Sequence, residues 1–159
     1  MKTIYYILLS IAFFSCSKSE VDTDDDINAN ISTFTFGEGD GYAVFEDGPN
    51  IITQFQLSKN KLVEVKYTDV GKVETVLNAI ETKAATLLKE RTIPAYLWQQ
   101  DKKRMVFGCN ACANLKAYYV HIEINGDKYY WSFDRNIETL PVELREYVKL
   151  VKETVDSLI

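Results

Sequence analysis

The sequence is poor in the residues on which most metal centres and hydrolytic active sites depend. Among 159 residues there are three cysteines and a single histidine, His121. One histidine excludes a site built on several imidazoles. A serine or cysteine nucleophile would have His121 as its sole candidate base, and no nucleophile elbow or triad pattern surrounds that residue. No pair of acidic residues stands out as acid and base, so a binding or structural protein is favoured over an enzyme.

The sequence also lacks a membrane-spanning run and an excess of basic residues. Its most apolar segment, Ile4 to Phe14, is far shorter than the roughly 20 residues that cross a bilayer as a helix. Lys and Arg number 18 against 23 Asp and Glu, which gives a net charge of −5. Such a balance argues against the basic surface that binds nucleic acid, so no nucleic-acid partner is expected.

The apolar segment instead has the length and flanks of a signal peptide. Lys2 precedes it, and the small residue Ser15 follows it directly before Cys16. The sequence Phe13-Phe14-Ser15-Cys16 resembles the bacterial lipobox in the looser form typical of Bacteroidota lipoproteins. This resemblance implies that residues 1–15 are removed and that Cys16 carries acyl chains such as palmitate. An ordinary secretory cleavage nearby and a buried helix are the alternatives.

The segment after Cys16 is acidic and almost free of apolar residues. It contains Glu20, Asp22 and Asp24–Asp26, and it cannot bury enough surface to offset the entropy lost on ordering. We expect residues 16–30 to form a lipidated, flexible tether. An acidic cluster at this place also resembles the export signal of surface-displayed Bacteroidota lipoproteins. Calcium binding is disfavoured, because no EF-hand spacing follows.

These features predict a cell-envelope protein anchored by lipid to the outer membrane, on its periplasmic face or at the cell surface. The membrane is then one partner, and an envelope protein or a small ligand is the other expected partner. Removal of residues 1–15 takes away one charge, that of Lys2, and changes the net charge from −5 to −6.

Residues 31–159 are expected to form one globular domain that begins with strands. The glycine-rich stretch Gly37–Gly41 is interpreted as a tight hairpin turn rather than a phosphate loop, because no Lys-Ser or Lys-Thr pair follows it. The expected strands are Ser32–Phe36, Tyr42–Phe45, Ile51–Leu57 and Val63–Tyr67, with a further turn at Asp47–Asn50.

The apolar period then changes from strand to helix. Val73, Val76, Leu77, Ile80, Ala84, Leu87 and Leu88 recur at helical spacing. This predicts a helix from Asp69 to about Lys89, with Asp69 as its N-cap and Pro94 beyond its end. The segment Ala95–Phe107 is ambiguous, except that Arg104–Phe107 is typical of a short strand.

A β-hairpin between Ala117 and Phe133 is the clearest local prediction. Asn125-Gly126 is the favoured pair for a two-residue type I′ turn. A turn there pairs Val120 with Trp131 on an apolar face and His121 with Tyr130 on a polar face. A shift by one residue would mix the two faces, so the register is well determined.

The chain ends in a predicted helix, with Thr139 as N-cap and Pro141 in the first turn. Leu144, Val148, Val151, Val155 and Leu158 form its apolar stripe. The order of strands, helix, strands and helix predicts an α+β domain: an antiparallel sheet of hairpins with two helices packed on one face.

Cys109 and Cys112 form the one motif with chemical potential, in the sequence Gly108-Cys109-Asn110-Ala111-Cys112. Outside the cytoplasm, and with Cys16 used by lipid, this even pair favours a structural disulfide. A redox-active dithiol is the first alternative, although the helix that normally follows the first cysteine is short here. A soft-metal site is the second alternative, but it lacks a second cysteine pair, and His121 alone would complete it poorly. No cofactor and no catalytic residue are predicted.

Three segments together resemble a group of small Bacteroidota lipoproteins of unknown function. They are Phe107–Ala113 with its G-C-x-x-C-A pattern, the hairpin after it, and the helix that begins at Leu140–Leu144. The resemblance covers roughly the last third of the chain. It implies an envelope location and a fold, and it implies no activity.

Overall fold

The computed structural model describes residues 30–40, 51–91, 93–108 and 116–159 of the chain, with Ile51 and Ile52 described by backbone alone. The strands are β1 (Ile31–Asp40), β2 (Ile51–Ser58), β3 (Lys61–Thr68), β4 (Gly71–Val76), β5 (Arg104–Phe107), β6 (Lys116–Ile124) and β7 (Asp127–Asp134). The helices are α1 (Ala79–Glu90), α2 (Ala95–Trp98) and α3 (Val142–Leu158), and a 3-10 turn spans Ile137–Thr139.

The strands form a single sheet in the order β4-β3-β2-β1-β6-β7-β5. Every neighbouring pair is antiparallel except β5 and β7, which run parallel with Arg104 opposite Tyr130. The chain is therefore an α+β protein with a largely antiparallel sheet, and the predicted fold class is confirmed.

The two long helices pack against one face of the sheet, which we call the helix face. Alternate residues of β1 point toward it, so Phe34 and Phe36 are buried while Thr33 and Thr35 point to the opposite face. Ala85 and Leu88 of α1 complete one side of this core. The other side comes from the apolar stripe of α3: Leu144, Val148, Val151 and Val155.

Aromatic side chains fill the end of the core nearest β5 and β7. Trp131 is fully buried, and its ring lies edge-on to that of Trp98 at 5.2 Å between centroids. Trp98 also meets Tyr129 edge-on at 5.3 Å, and Phe107 stacks on Phe133 at 5.6 Å. Aromatic pairs at such distances stabilise the core beyond the area that they bury.

The predicted hairpin is confirmed residue by residue. Val120 lies opposite Trp131 and His121 opposite Tyr130. Asn125 and Gly126 have φ angles of 53° and 84°, as a type I′ turn requires. The strand Arg104–Phe107 is confirmed as well.

The predicted start of the first helix is wrong. Residues Gly71–Val76 form strand β4, which pairs with β3, and the helix begins at Ala79. Asn78, not Asp69, is the N-cap: its side chain accepts from the N–H groups of Ile80 and Glu81, and Glu81 reaches back to the N–H of Asn78. The spacing of Val73 and Val76 fits a helix, but as β-branched residues they also suit an edge strand.

The predicted hairpin turn at the glycine-rich stretch is also wrong for the residues that the structure describes. Residues Gly37–Asp40 continue β1. Gly37 lies opposite Gln54 of β2 on one side and opposite Tyr119 of β6 on the other. A Cβ on Gly37 would lie 1.9 Å from the carbonyl oxygen of Thr53. The glycine therefore serves close packing inside the sheet. The expected strand Tyr42–Phe45 and turn Asp47–Asn50 lie outside the described residues.

The C-terminal helix is confirmed, with a small change at its start. Pro141 occupies the N-cap position, and Thr139 lies in the preceding 3-10 turn, where its hydroxyl donates to the carbonyl of Asn136. Arg145 fastens this turn to the helix by donating to the carbonyl of Leu140 and to the carboxylate of Glu138.

Candidate functional site

The sheet face opposite the helices, which we call the polar face, carries hydroxyl, amide, imidazole and phenol groups at its centre. Thr35 of β1 lies between Gln56 of β2 and His121 of β6. His121 in turn lies opposite Tyr130 of β7. Side chains alternate across a sheet, so one row across these four central strands is polar from end to end.

This row forms one side of a pocket of about 160 Å³. The pocket is lined by Thr33, Thr35, Gln54, Gln56, Lys72, His121, Ile122, Glu123, Lys128 and Tyr130. Among the described residues, Thr35 and Gln54 are two of the six buried polar or charged side chains. Because paired strands carry these groups, their positions are set by the backbone ladder and not by flexible loops.

An aromatic line crosses the pocket wall. The His121 ring lies 4.7 Å from that of Tyr119 and 4.6 Å from that of Tyr130, measured between centroids. The guanidinium of Arg104 lies over the ring of Tyr130, 4.9 Å from its centroid. Contacts of this kind hold the His121 and Tyr130 rings in place and restrict their rotation.

Two tyrosine hydroxyls form hydrogen bonds to β2 next to the pocket. The Tyr119 hydroxyl donates to the carbonyl of Thr53 at 3.1 Å, across the position of Gly37. The Tyr67 hydroxyl donates to the side-chain carbonyl of Gln54 at 3.3 Å. Since this bond uses the carbonyl end of Gln54, it fixes the direction in which the amide of Gln54 points.

The charged groups at the rim oppose one another. Lys72 forms an ion pair with Glu74 at 2.8 Å, and Glu123 lies opposite Lys128 in the hairpin. The hydrogen bond from Lys72, followed by the charge of Lys72, lowers the pKa of Glu74 below its ordinary value. The rim thus carries charges of both signs, and the rest of the lining consists mainly of hydroxyl, amide, imidazole and phenol side chains.

A second and larger cavity, of about 630 Å³, lies beside α3. It is lined by Arg91, Pro94, Glu143, Glu146, Tyr147, Lys149, Leu150 and Glu153. Most of these are long, exposed side chains, which no surrounding packing holds in one rotamer. Ordering them around a ligand would cost side-chain entropy. Burial raises the pKa of Tyr147 above its ordinary value, but the Tyr147 hydroxyl is itself shielded from solvent. We therefore place the candidate site in the smaller pocket.

The cysteines predicted from the sequence as functional residues, Cys16, Cys109 and Cys112, lie outside the described residues. The neighbours of the cysteine pair are described: Gly108 follows β5 and packs against Asp134 and Thr139, and Lys116 begins β6 beside the buried Glu38. Glu38 is also 3.2 Å from Arg135, so this end of the sheet holds a buried carboxylate between two cations.

His121 lies on the polar face, as the hairpin register predicts. Within the ranges that the structure describes, no three His, Cys, Asp or Glu side chains come close enough together to hold a metal ion. Sequence reasoning missed Thr35, Gln54 and Gln56. These polar residues occupy alternate positions of predicted strands, which the sequence shows. Which of them lie next to each other depends on the pairing of β1 with β2, which the sequence does not show.

None of the described helices is long and apolar enough to cross a membrane. No protein-family model matches the chain, and no curated protein matches it in sequence.

Proposed function

We propose that the protein is a lipid-anchored cell-envelope module that binds a small, uncharged, hydroxyl-bearing molecule in the pocket of the polar face. The observation that carries the proposal is this pocket of about 160 Å³, lined on four adjacent strands by hydroxyl, amide and imidazole groups. The anchor is Cys16, and residues 17–30 are the tether between lipid and domain.

The lining chemistry favours hydroxyl groups in the ligand. Hydroxyl and amide side chains both donate and accept hydrogen bonds, and so do the hydroxyls of a sugar or polyol. Thr35, Gln54 and Gln56 supply three such groups. Tyr130 also lines the pocket and contributes a phenol group.

The charges and the size favour a neutral and small ligand. Lys72 is paired with Glu74, so an anionic ligand would have to displace an existing ion partner there. Lys128 lies opposite Glu123 in the hairpin, where the two opposite charges offset each other. Pockets for drug-sized ligands typically measure roughly 300–1,000 Å³. A pocket of about 160 Å³ fits a single ring or a short polyol.

Replacement of Thr35 by valine is expected to weaken ligand binding about 3- to 10-fold, because it removes one hydrogen-bonding hydroxyl at nearly constant volume. The measurement is an NMR titration of the isotope-labelled mature chain in detergent micelles. The probes are glucose, N-acetylglucosamine and inositol, with glucuronate and glucosamine as charged analogues. Neutral probes should shift the signals of Thr35, Gln56 and His121.

The matched control is Thr75→Val on β4, which makes the same change at an exposed strand position outside the pocket. This variant should bind as the unchanged chain does. Stronger binding of the charged analogues, or shifts that spare the pocket residues, would contradict the proposed ligand class.

Replacement of Cys16 by alanine is expected to abolish lipidation and to leave the signal segment uncleaved, because the acylated thiol is missing. The measurement is incorporation of labelled palmitate in cells, together with gel mobility. Cys109→Ala is the matched control and should be labelled and processed normally. Persistent labelling of the Cys16→Ala chain would rule out the anchor.

A further inference from the structure

Strand β4 is the last strand on one side of the sheet, and all six of its residues are exposed. In the part of the chain that the structure describes, its outer edge pairs with no other strand. An exposed strand edge of this kind is a template for another strand.

The backbone groups that face outward can be identified from the ladder with β3. The N–H of Leu77 donates to the carbonyl of Leu62 at 3.0 Å, so Leu77 points its backbone groups toward β3. In an antiparallel ladder this direction alternates along the strand. The N–H and C=O groups of Lys72, Glu74 and Val76 therefore point away from the sheet.

We propose that this edge is a self-association surface on which β4 of a second copy pairs antiparallel, with Val73 opposite Val73 on the two-fold axis. Lys72 of each copy then lies opposite Glu74 of the other, and their outward backbone groups form the hydrogen bonds. Such a two-fold interface uses the same patch on both copies.

Charge complementarity selects this register over its neighbours. Centring the pair on Glu74 or on Lys72 would place like charges directly opposite each other, which destabilises a strand pair. Centring it on Val73 creates two opposite-charge pairs by symmetry. Lys72 and Glu74 already form an ion pair within one chain, so both side chains lie on the same sheet face, as the cross-strand pairing requires.

Apolar exposure surrounds the same edge. Val70, in the turn before β4, is 93% exposed, and Val73 and Val76 on the strand are 45% and 59% exposed. Ile80 and Leu87 of α1, the helix that follows β4, are also exposed. They are seven residues apart and so lie on one side of the helix. A second copy would cover apolar side chains that the single chain leaves in water.

The test is disulfide trapping in membranes that carry the full chain. Residues opposite each other without mutual hydrogen bonds have Cα atoms roughly 4.5 Å apart, a distance at which a disulfide forms. A Val73→Cys chain should therefore give a dimer band on a non-reducing gel after mild oxidation. Thr75→Cys is the matched control, since the register separates the two copies of residue 75 by roughly 13 Å along the strand.

A charge exchange tests the register by a second route. Lys72→Glu creates two like-charge pairs and should weaken the dimer of the detergent-solubilised chain about fivefold or more in sedimentation. The double change Lys72→Glu with Glu74→Lys restores opposite charges and should restore the dimer. Equal trapping of the two cysteine variants, a monomeric unchanged chain, or a double variant as weak as the single one would each overturn the proposal.

Discussion

Replacement of Trp131 by alanine is expected to lower the free energy of unfolding by about 3–5 kcal/mol. Trp131 is fully buried at the centre of the aromatic cluster, edge-on to Trp98 at 5.2 Å and 5.9 Å from the ring of Tyr129. Its removal leaves a cavity between the sheet and α2 that these rigid rings cannot fill.

Urea unfolding followed by circular dichroism measures this loss. Since small domains are stable by only about 5–15 kcal/mol, the alanine variant can fall below the folding threshold. Trp131→Phe keeps most of the ring and should lose distinctly less stability, which preserves the test. The control is Val142→Ala on α3, where the side chain is 72% exposed and the expected change is within about 0.5 kcal/mol. A cost for Trp131→Ala equal to that of the control would contradict the packing assigned to this cluster.

Replacement of Gly37 by alanine is expected to destabilise the protein by about 3 kcal/mol, at the upper end of the usual cost of overpacking. The new methyl group would lie 1.9 Å from the carbonyl oxygen of Thr53 and 2.9 Å from the hydroxyl of Tyr119. The nearer atom belongs to the backbone of the neighbouring strand, so it cannot swing aside as a side chain would. The strands beneath the polar pocket must separate instead.

Gly126→Ala is the matched control, measured in the same urea titration. Gly126 has a φ of 84° but nothing within 4 Å of its missing Cβ, so its substitution should cost about 1 kcal/mol from backbone strain alone. Adding Tyr119→Phe to Gly37→Ala removes the hydroxyl contact, together with the hydrogen bond to the Thr53 carbonyl, and leaves the backbone contact. Most of the cost should remain in the double variant. If Gly37→Ala cost no more than Gly126→Ala, close strand packing at this glycine would be disproved.

Several elements of the fold were predictable because their signals are local. Asn125-Gly126 favours one turn, and that turn pairs His121 with Tyr130 without help from the rest of the chain. The stripe from Leu144 to Val155 likewise marks one face of α3, and each of its members is buried. In both cases the residues that interact are close in sequence.

The boundary between β4 and α1 was predicted wrongly because two local signals compete there. Val73 and Val76 fit a helical period, while the capping box of Asn78 and Glu81 marks the true helix start. The β3–β4 hairpin, with its turn at Asp69 and Val70, decides between them, because pairing with β3 draws Val73 and Val76 into the sheet. This is a tertiary effect that outweighs a periodicity of few residues.

The candidate site was beyond sequence reasoning for a related reason. Thr35, Gln56 and His121 come from three strands, and only the pairing of β1 with β2 and with β6 places them in one row. The placement of the tyrosines is likewise set by the sheet. Tyr118 faces the helices, whereas Tyr119 lies on the opposite face beside His121.

The sequence by itself determined the C-terminal hairpin, the last helix and the α+β class, and it carries the prediction of a signal peptide, a lipidated Cys16 and an acidic tether. The tertiary structure decided that Gly37 lies inside a strand, that β4 is an exposed edge, and that a polar pocket forms on the face without helices. The physical reason is the distance along the chain between the residues that interact. Turn and helix preferences act over a few residues, whereas sheet register joins residues far apart in the chain, and it alone sets which side chains meet.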